Sequence, residues 1–191
     1  AYPGLKALAR QQGLKVIPLP VDTDGVVTDA IPDLCRQYNP RLVYCTPSQH
    51  NPTNACLSQA RREASITLAQ QYQLLIVEDE VPAVLVEQAL PPLASMDPDR
   101  VFYISSCSKS LAGGLRVGFL VSPRAYQQRA ATALRASCWM APPLMVEIAT
   151  RWIAQGGAAE LLKRQRQALQ QRHQMVKELL GDFDRVQRED S

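Results

Sequence analysis

Five short apolar runs, each too brief for a helix and each closed by polar, proline or glycine residues, constrain this chain more than any other feature. They are Lys15–Leu19, Arg41–Cys45, Leu74–Glu78, Val101–Ser105 and Val117–Val121, rich in Val, Ile, Leu and Tyr, and they read as buried strands. Between them lie helical patterns at Asp29–Tyr38, Ser58–Gln73 and Arg124–Ser137, the last following Pro123, where proline suits a first helical turn. Strand and helix in alternation predict an α/β domain, a mostly parallel sheet flanked by helices. The chain turns helical from about residue 124, and from Pro142 onward the pattern is helix alone. Leu161/Leu162, Ala168/Leu169, Met175/Val176 and Leu179/Leu180 line a narrow apolar stripe along a long C-terminal helix. Lys163, Arg164, Arg166, Arg172 and Lys177 fall on its other faces and read as a solvated surface. No Gly/Ser linker, repeat or low-complexity tract interrupts residues 1–191, so they read as one domain that ends in the polar segment QREDS.

Composition narrows the function classes. With 46% hydrophobic and 20% charged residues, the chain has the make-up of a folded globular protein. A net charge of +3 is too mild for a dedicated nucleic-acid binder. No apolar run approaches the roughly 20 residues of a membrane-spanning helix. The opening AYPGLKALARQQG has no apolar signal-peptide core, so a cytoplasmic location and no membrane partner are expected. The missing initiator Met leads to the expectation that the chain starts inside a larger gene product. Cys35, Cys45, Cys56, Cys107 and Cys138 are odd in number, widely spaced and without C-x-x-C, and only His50 and His173 accompany them. That pattern disfavours a disulfide framework and a His/Cys metal cluster, and predicts buried or half-buried free thiols.

In an open parallel sheet, ligands bind where strands end and loops begin. Three such ends carry polar residues. After RLVYC comes Thr46-Pro47-Ser48-Gln49-His50-Asn51-Pro52-Thr53-Asn54; Asn51 is either a binding residue or simply the turn initiator that Asn-Pro commonly is. After LLIV comes Glu78-Asp79-Glu80. Three adjacent acids repel, so at least one should meet a cation or a donor, while Asp79 could equally cap the next helix. After VFYIS comes Ser105-Ser106-Cys107-Ser108-Lys109-Ser110, then Leu111-Ala112-Gly113-Gly114-Leu115-Arg116-Val117-Gly118. A lysine among hydroxyls, followed by a Gly-Gly turn and an arginine, suits an anion, with Lys109 as a Schiff-base nucleophile and Ser106 and Arg116 on a phosphate. Ser106 to Lys109 also satisfies S-x-x-K, the nucleophile motif of serine β-lactamases, but its companions SDN and KTG occur nowhere in the chain.

Taken together, the three sites resemble the large domain of fold-type I, pyridoxal-phosphate-dependent aminotransferases. That family's motifs run N-P-T-G, then D-x-x-Y, then S-x-S-K-x-x-x-x-G-x-R-x-G. Here the order is Asn51-Pro52-Thr53-Asn54, Asp79-Glu80-Val81-Pro82 and Ser106 to Gly118, and Tyr2-Pro3-Gly4 is similar to the family's upstream Y-P-G turn. The strings T-P-S-x-x-N-P-T, E-D-E and S-L-A-x-G-L-R-V-G, with Cys138 to Leu144, are especially similar to MocR-type regulators, which join a GntR-type winged-helix DNA-binding domain to an aminotransferase-like domain. The resemblance implies a partial large domain over residues 1–191, truncated at both ends. It implies Lys109 as the Schiff-base lysine and proton shuttle, and Asp79 as the partner of the pyridinium nitrogen. Asn51 falls to the phenolic oxygen, and Ser106, Arg116 and Ser108 to the phosphate.

The departures are Pro82 in place of the family tyrosine and Asn54 in place of glycine, where a left-handed turn is still open to asparagine. The reading that follows is a pyridoxal-phosphate-binding sensing module of a MocR-type regulator, taking an amino acid or amine-like small molecule. It would touch DNA only through an upstream domain, and a homodimer is expected. The alternatives are a free-standing aminotransferase working between an amino acid and a 2-oxo acid, and a truncated domain that no longer binds cofactor.

Overall fold

The computed structural model describes residues 3–181. Tyr2 of the expected Y-P-G turn and the polar segment QREDS lie outside the described residues. Pro3 and Gly4 do not form a turn: they open helix α1, Pro3–Gln11, as a proline in a first helical turn can. A two-stranded antiparallel ribbon follows, β1 (Val21–Asp22) and β2 (Gly25–Val26). It takes the place of the strand expected at Lys15–Leu19, a segment that forms neither helix nor strand. Pro18, inside that segment, and Pro20, just beyond it, lack the N–H a ladder needs. Gly25 adopts φ +94°, and a Cβ there would meet Leu57 Cδ1 at 3.1 Å, so both conformation and space call for glycine.

The main sheet comprises β3 (Leu42–Cys45), β4 (Leu75–Asp79), β5 (Val101–Ser106) and β6 (Gly118–Val121), in that spatial order. β3, β4 and β5 are parallel, with Cys45 opposite Glu78 and Asp79 opposite Ile104. β6 runs antiparallel to β5, with Ser106 opposite Gly118. The sheet is thus mostly parallel, as the alternation predicted.

Helices α2 (Ile31–Tyr38), α3 (Gln59–Gln71) and α4 (Leu93–Met96) cover one face. Ile31, Cys45, Ile66, Ala69, Leu74, Ile76, Leu93 and Val101 form the core between them and the strands. Local signals set the helix ends. Ser58 caps α3 by accepting from the Arg61 amide at 3.4 Å. Asn39, left-handed at φ +47°, stops α2 just before Pro40. The bidentate Arg61–Asp22 pair, at 2.6 and 2.7 Å, lays the ribbon against α3.

Beyond β5 come α5 (Cys107–Ser110), α6 (Gln127–Cys138), α7 (Pro143–Ala154) and α8 (Gly157–Leu180). The all-helical tail predicted from Pro142 divides at Gly156, whose φ is +80°. A second core joins Cys107, Leu111, Leu115 and Val117 to Ala149 of α7 and Leu161 of α8. The apolar stripe of α8 is half-buried at Leu161, Leu162 and Ala168. It is exposed further on, with Leu179 at 76%. Cys45 and Cys107 are buried and Cys35 half-buried as expected, whereas Cys56 and Cys138 are exposed. No helix among the described residues is long and apolar enough to cross a membrane.

Candidate cofactor site

The period-two pleat of β4 sorts the three acids. Leu74, Ile76, Glu78 and Glu80 are buried toward α3, whereas Leu75, Val77 and Asp79 are half-buried on the opposite face. The predicted repulsion is relieved by sending the neighbours of Asp79 to the other side of the sheet, where each finds donors.

Glu78 is fully buried, and its Oε1 and Oε2 accept from the Leu93 and Ala94 amides at 2.7 and 3.0 Å. Its charge partner is Arg62 of α3, also fully buried, at 3.8 Å. Arg62 donates to the Leu57 carbonyl at 3.1 Å, the Pro91 carbonyl at 3.0 Å and Ser48 Oγ at 3.0 Å. Ser48 in turn donates to Glu80 Oε1 at 2.9 Å, while Glu80 Oε2 is buried without a partner. Burial pushes the Glu78 carboxyl above the ordinary glutamate range against the pull of its two amide donors. Burial likewise pushes Glu80 up to about 7, the Ser48 hydroxyl opposing it.

Asp79 stands at the mouth of β4. Its Oδ2 accepts from the Tyr44 hydroxyl and its Oδ1 from the Val81 amide at 3.2 Å. The second bond closes a tight turn, so Asp79 is not a helix cap. The helical turn that follows, Ala83–Leu85, has Pro82 at its start and no side-chain cap. Tyr44 carries no motif of its own, because its place at the site depends on strand register. Tyr44 pairs with Val77, which puts it on the face of Asp79.

Lys109 sits in the single turn of α5, exposed at the mouth of β5. Apolar residues every fourth position hold that turn: Cys107, Leu111 and Leu115 point into the second core and leave Lys109, Gly113, Gly114 and Arg116 outward. Ser106 caps α5, accepting from the Ser108 amide at 3.0 Å; its Oγ also lies 2.7 Å from Ser108 Oγ and 3.3 Å from the Val117 carbonyl. Arg116, next to Val117, is left-handed at φ +55° and exposed.

The Asn51 loop is a self-contained turn. The Asn54 amide donates to the His50 carbonyl at 2.7 Å, and the His50 amide to the Ala55 carbonyl at 2.9 Å. Asn54 takes φ +56°, the left-handed conformation foreseen for it. Asn51 is exposed at the tip. The loop is tied to β4 by Ser48 and Glu80, and the Ala83–Leu85 turn packs against α5. The structure therefore brings Ser106 and Ser108 into direct contact and gathers the loops of Asn51, Asp79 and Lys109 at one end of the parallel strands. It makes no bond among Asn51, Asp79, Lys109 and Arg116 themselves.

One predicted residue changes role. Arg166 does not belong to a solvated face of α8. It is half-buried and donates through Nη2 to the Val84 and Val86 carbonyls at 2.7 and 3.2 Å. Lys163, Arg164, Arg172 and Lys177 are exposed as expected.

This donor set suits pyridoxal phosphate: an exposed primary amine for an aldehyde, a doubly held carboxylate for a ring nitrogen, and two touching hydroxyls for a phosphate. Beside them lies the Gly113–Gly114 turn, where an added Cβ would meet no atom within 4 Å. The arrangement defines a class, the aminotransferase-like α/β domain. The sequence model of the family "Aminotransferase class I and II" matches residues 1–189, and the chain belongs to that family.

The chain is 30% identical over 182 residues to an uncharacterized HTH-type transcriptional regulator, YdeF of Bacillus subtilis, covering 95% of this chain and 39% of that protein. It is 34% identical over 185 residues to the HTH-type transcriptional regulator TauR of Rhodobacter capsulatus, covering 95% and 37%. Among solved structures, LysN, an α-aminoadipate aminotransferase of Thermus thermophilus complexed with N-(5'-phosphopyridoxyl)-L-leucine, superposes with a TM-score of 0.84 at 27% identity. The superposition covers 97% of this chain and 48% of that one. The chain spans about two fifths of the length of these regulators. Pyridoxal phosphate is the cofactor of the family.

Proposed function

We propose that this chain is the pyridoxal-phosphate-binding, effector-sensing part of a MocR-type transcriptional regulator. The observation that carries the reading is the kinship with HTH-type regulators along 95% of the chain; Pro82, standing where the resemblance expects an enzyme's tyrosine, supports it. The intact protein would then be a cytoplasmic homodimer that contacts DNA through a separate domain.

Lys109 would hold the cofactor's aldehyde carbon and move a proton at its own Nζ. Asp79, steadied by Tyr44 and the Val81 amide, would hold the ring nitrogen. Asn51 would donate to the phenolic oxygen. Ser106, Ser108 and Arg116 would hold the phosphate, the guanidinium matching its oxygens in a fork. When bound, the cofactor supplies an electron sink for a bond to the substrate's α-carbon. An amino acid or amine-like molecule bound beside Lys109 would be the effector that the domain senses. Without a phenol at position 82, the phenolic oxygen would lose one donor, which a sensor tolerates better than a rapid catalyst.

The likeness to LysN favours a second reading, a working aminotransferase moving an amino group between an amino acid and a 2-oxo acid. One experiment separates the two. The full-length protein is mixed with its promoter DNA, with and without pyridoxal phosphate and a panel of amino acids, and the cofactor spectrum is recorded in parallel. DNA affinity that changes at least several-fold with the cofactor or an amino acid, without net conversion to the pyridoxamine form, supports the sensor. Catalytic conversion with a 2-oxo acid and no effect on DNA supports the enzyme.

A further inference from the structure

Helix α8 reaches both loops of the candidate site from two consecutive residues. Arg166 donates through Nη2 to the Val84 and Val86 carbonyls at 2.7 and 3.2 Å, in the turn that follows Asp79. Gln165 donates through Nε2 to the Leu111 carbonyl at 3.4 Å, at the end of the turn that carries Lys109. The Ala83–Leu85 turn and α5 also pack on each other and on α8. Consecutive helix residues point about 100° apart, so one turn of α8 reaches both loops where they meet.

The two side chains are held inward at a cost. Gln165 Oε1 and Arg166 Nε are both buried without a partner, a state that packing for stability alone selects against. A guanidinium on a solvated stripe would have neither the burial nor the two carbonyl acceptors. Past this point α8 carries Met175, Val176, Leu179 and Leu180 exposed at 45–76%, so the helix runs on from the site into an apolar, unshielded arm.

We infer that α8 is a strut that sets the spacing between the Asp79 loop and the Lys109 loop, with Arg166 as its positioning residue and Gln165 as its second anchor. The inference rests on the proposed cofactor site for its functional meaning, but the mechanical coupling stands on the hydrogen bonds and the packing of the two loops on α8. A displacement of either loop is transmitted to α8 and through it to the other loop, which gives a sensing domain a rigid output.

The test is hydrogen exchange on the full-length protein, unliganded, for the wild type, Arg166→Gln and Gln165→Ala. The amides to follow are Leu85 and Val86, which close the Ala83–Leu85 turn, and Leu111 and Ala112, which close α5 on the Cys107 carbonyl. Arg166→Gln is expected to speed exchange in both groups by about ten-fold or more, as loss of charge-assisted bonds implies, while the amides of β3, β4 and β5 keep their protection. Gln165→Ala is expected to speed Leu111 and Ala112 and, more weakly, Leu85 and Val86. Acceleration confined to residues 83–86, or spread equally through the sheet, overturns the strut. If Arg166→Gln does not fold, Arg166→Lys and Gln165→Ala decide by the same criterion. A pyridoxal phosphate titration on the same samples judges the cofactor reading separately: no visible band in the wild type defeats that reading while the exchange data still decide the strut.

Discussion

Replacing Arg62 by methionine would keep the volume of the side chain in α3 and delete its charge and donors. Arg62 is fully buried and bonds the Leu57 carbonyl, the Pro91 carbonyl and Ser48 Oγ at 3.0–3.1 Å, with Glu78 at 3.8 Å. Breaking one partner of a buried ion pair costs about 3–5 kcal/mol because the other charge is stranded. Glu78 softens this by keeping its two amide donors and by taking up a proton, which its raised pKa makes easier. The carbonyls and hydroxyl left without a donor add about 1–3 kcal/mol in all if water reaches some of them. The expected loss is therefore about 4 kcal/mol, a large part of the 5–15 kcal/mol a typical domain has. Chemical denaturation of the protein gives the value, and a cycle with Glu78→Gln tests the cause. The double variant should recover about 2 kcal/mol relative to the sum of the singles. A loss under about 1 kcal/mol, or strict additivity, would refute the reading of Arg62 and Glu78 as a buried, mutually dependent pair.

Glu80 gives a pH signature. Its folded carboxyl titrates at about 7 against an ordinary 4.5, so the folded state binds the proton more tightly. The stabilisation is complete below about pH 4.5 and is lost as pH rises through about 7, at up to about 1.4 kcal/mol per unit between those values. Melting curves from pH 5 to 8 should show this decline, and Glu80→Gln should flatten it; an unchanged slope would mean Glu80 is not the group. Ser58→Ala removes the cap of α3 and should cost about 1 kcal/mol, read from the shift in denaturation midpoint. Gly25→Ala meets both φ +94° and Leu57 Cδ1 at 3.1 Å and should cost about 1–2 kcal/mol. A neutral result would show that the ribbon shifts freely away from Leu57.

Much of the architecture could be read from apolar runs alone, since Leu42–Cys45, Leu75–Asp79 and Val101–Ser106 lie within one residue of where such runs placed strands. Lys15–Leu19 looked the same by composition, but Pro18 and Pro20 left it without the donors a ladder uses, and the pairing moved to Val21 and Val26. At the site, the loops could be located because each follows a strand. The partners could not, because they depend on geometry that a linear string hides. Arg62 sits in an Arg-Arg pair of which Arg61 faces the ribbon and Arg62 the core; only the helix phase distinguishes them. Tyr44 required the β3–β4 register, and Arg166 required knowing that the Ala83–Leu85 turn lies under α8. The separation of Asp79 from Glu78 and Glu80 was latent in the two-residue period of a strand, had the strand been carried through to Glu80.

Lys109 and the residues around it are proposed to hold pyridoxal phosphate. A cofactor titration followed by visible absorbance, then borohydride reduction and peptide mapping, on the full-length protein and its Lys109→Ala variant, decides this. A visible band is expected in the parent and not in the variant, with a reduced pyridoxyl adduct mapped to Lys109. No band in the parent, an identical band in both proteins, or an adduct on a different lysine would contradict it.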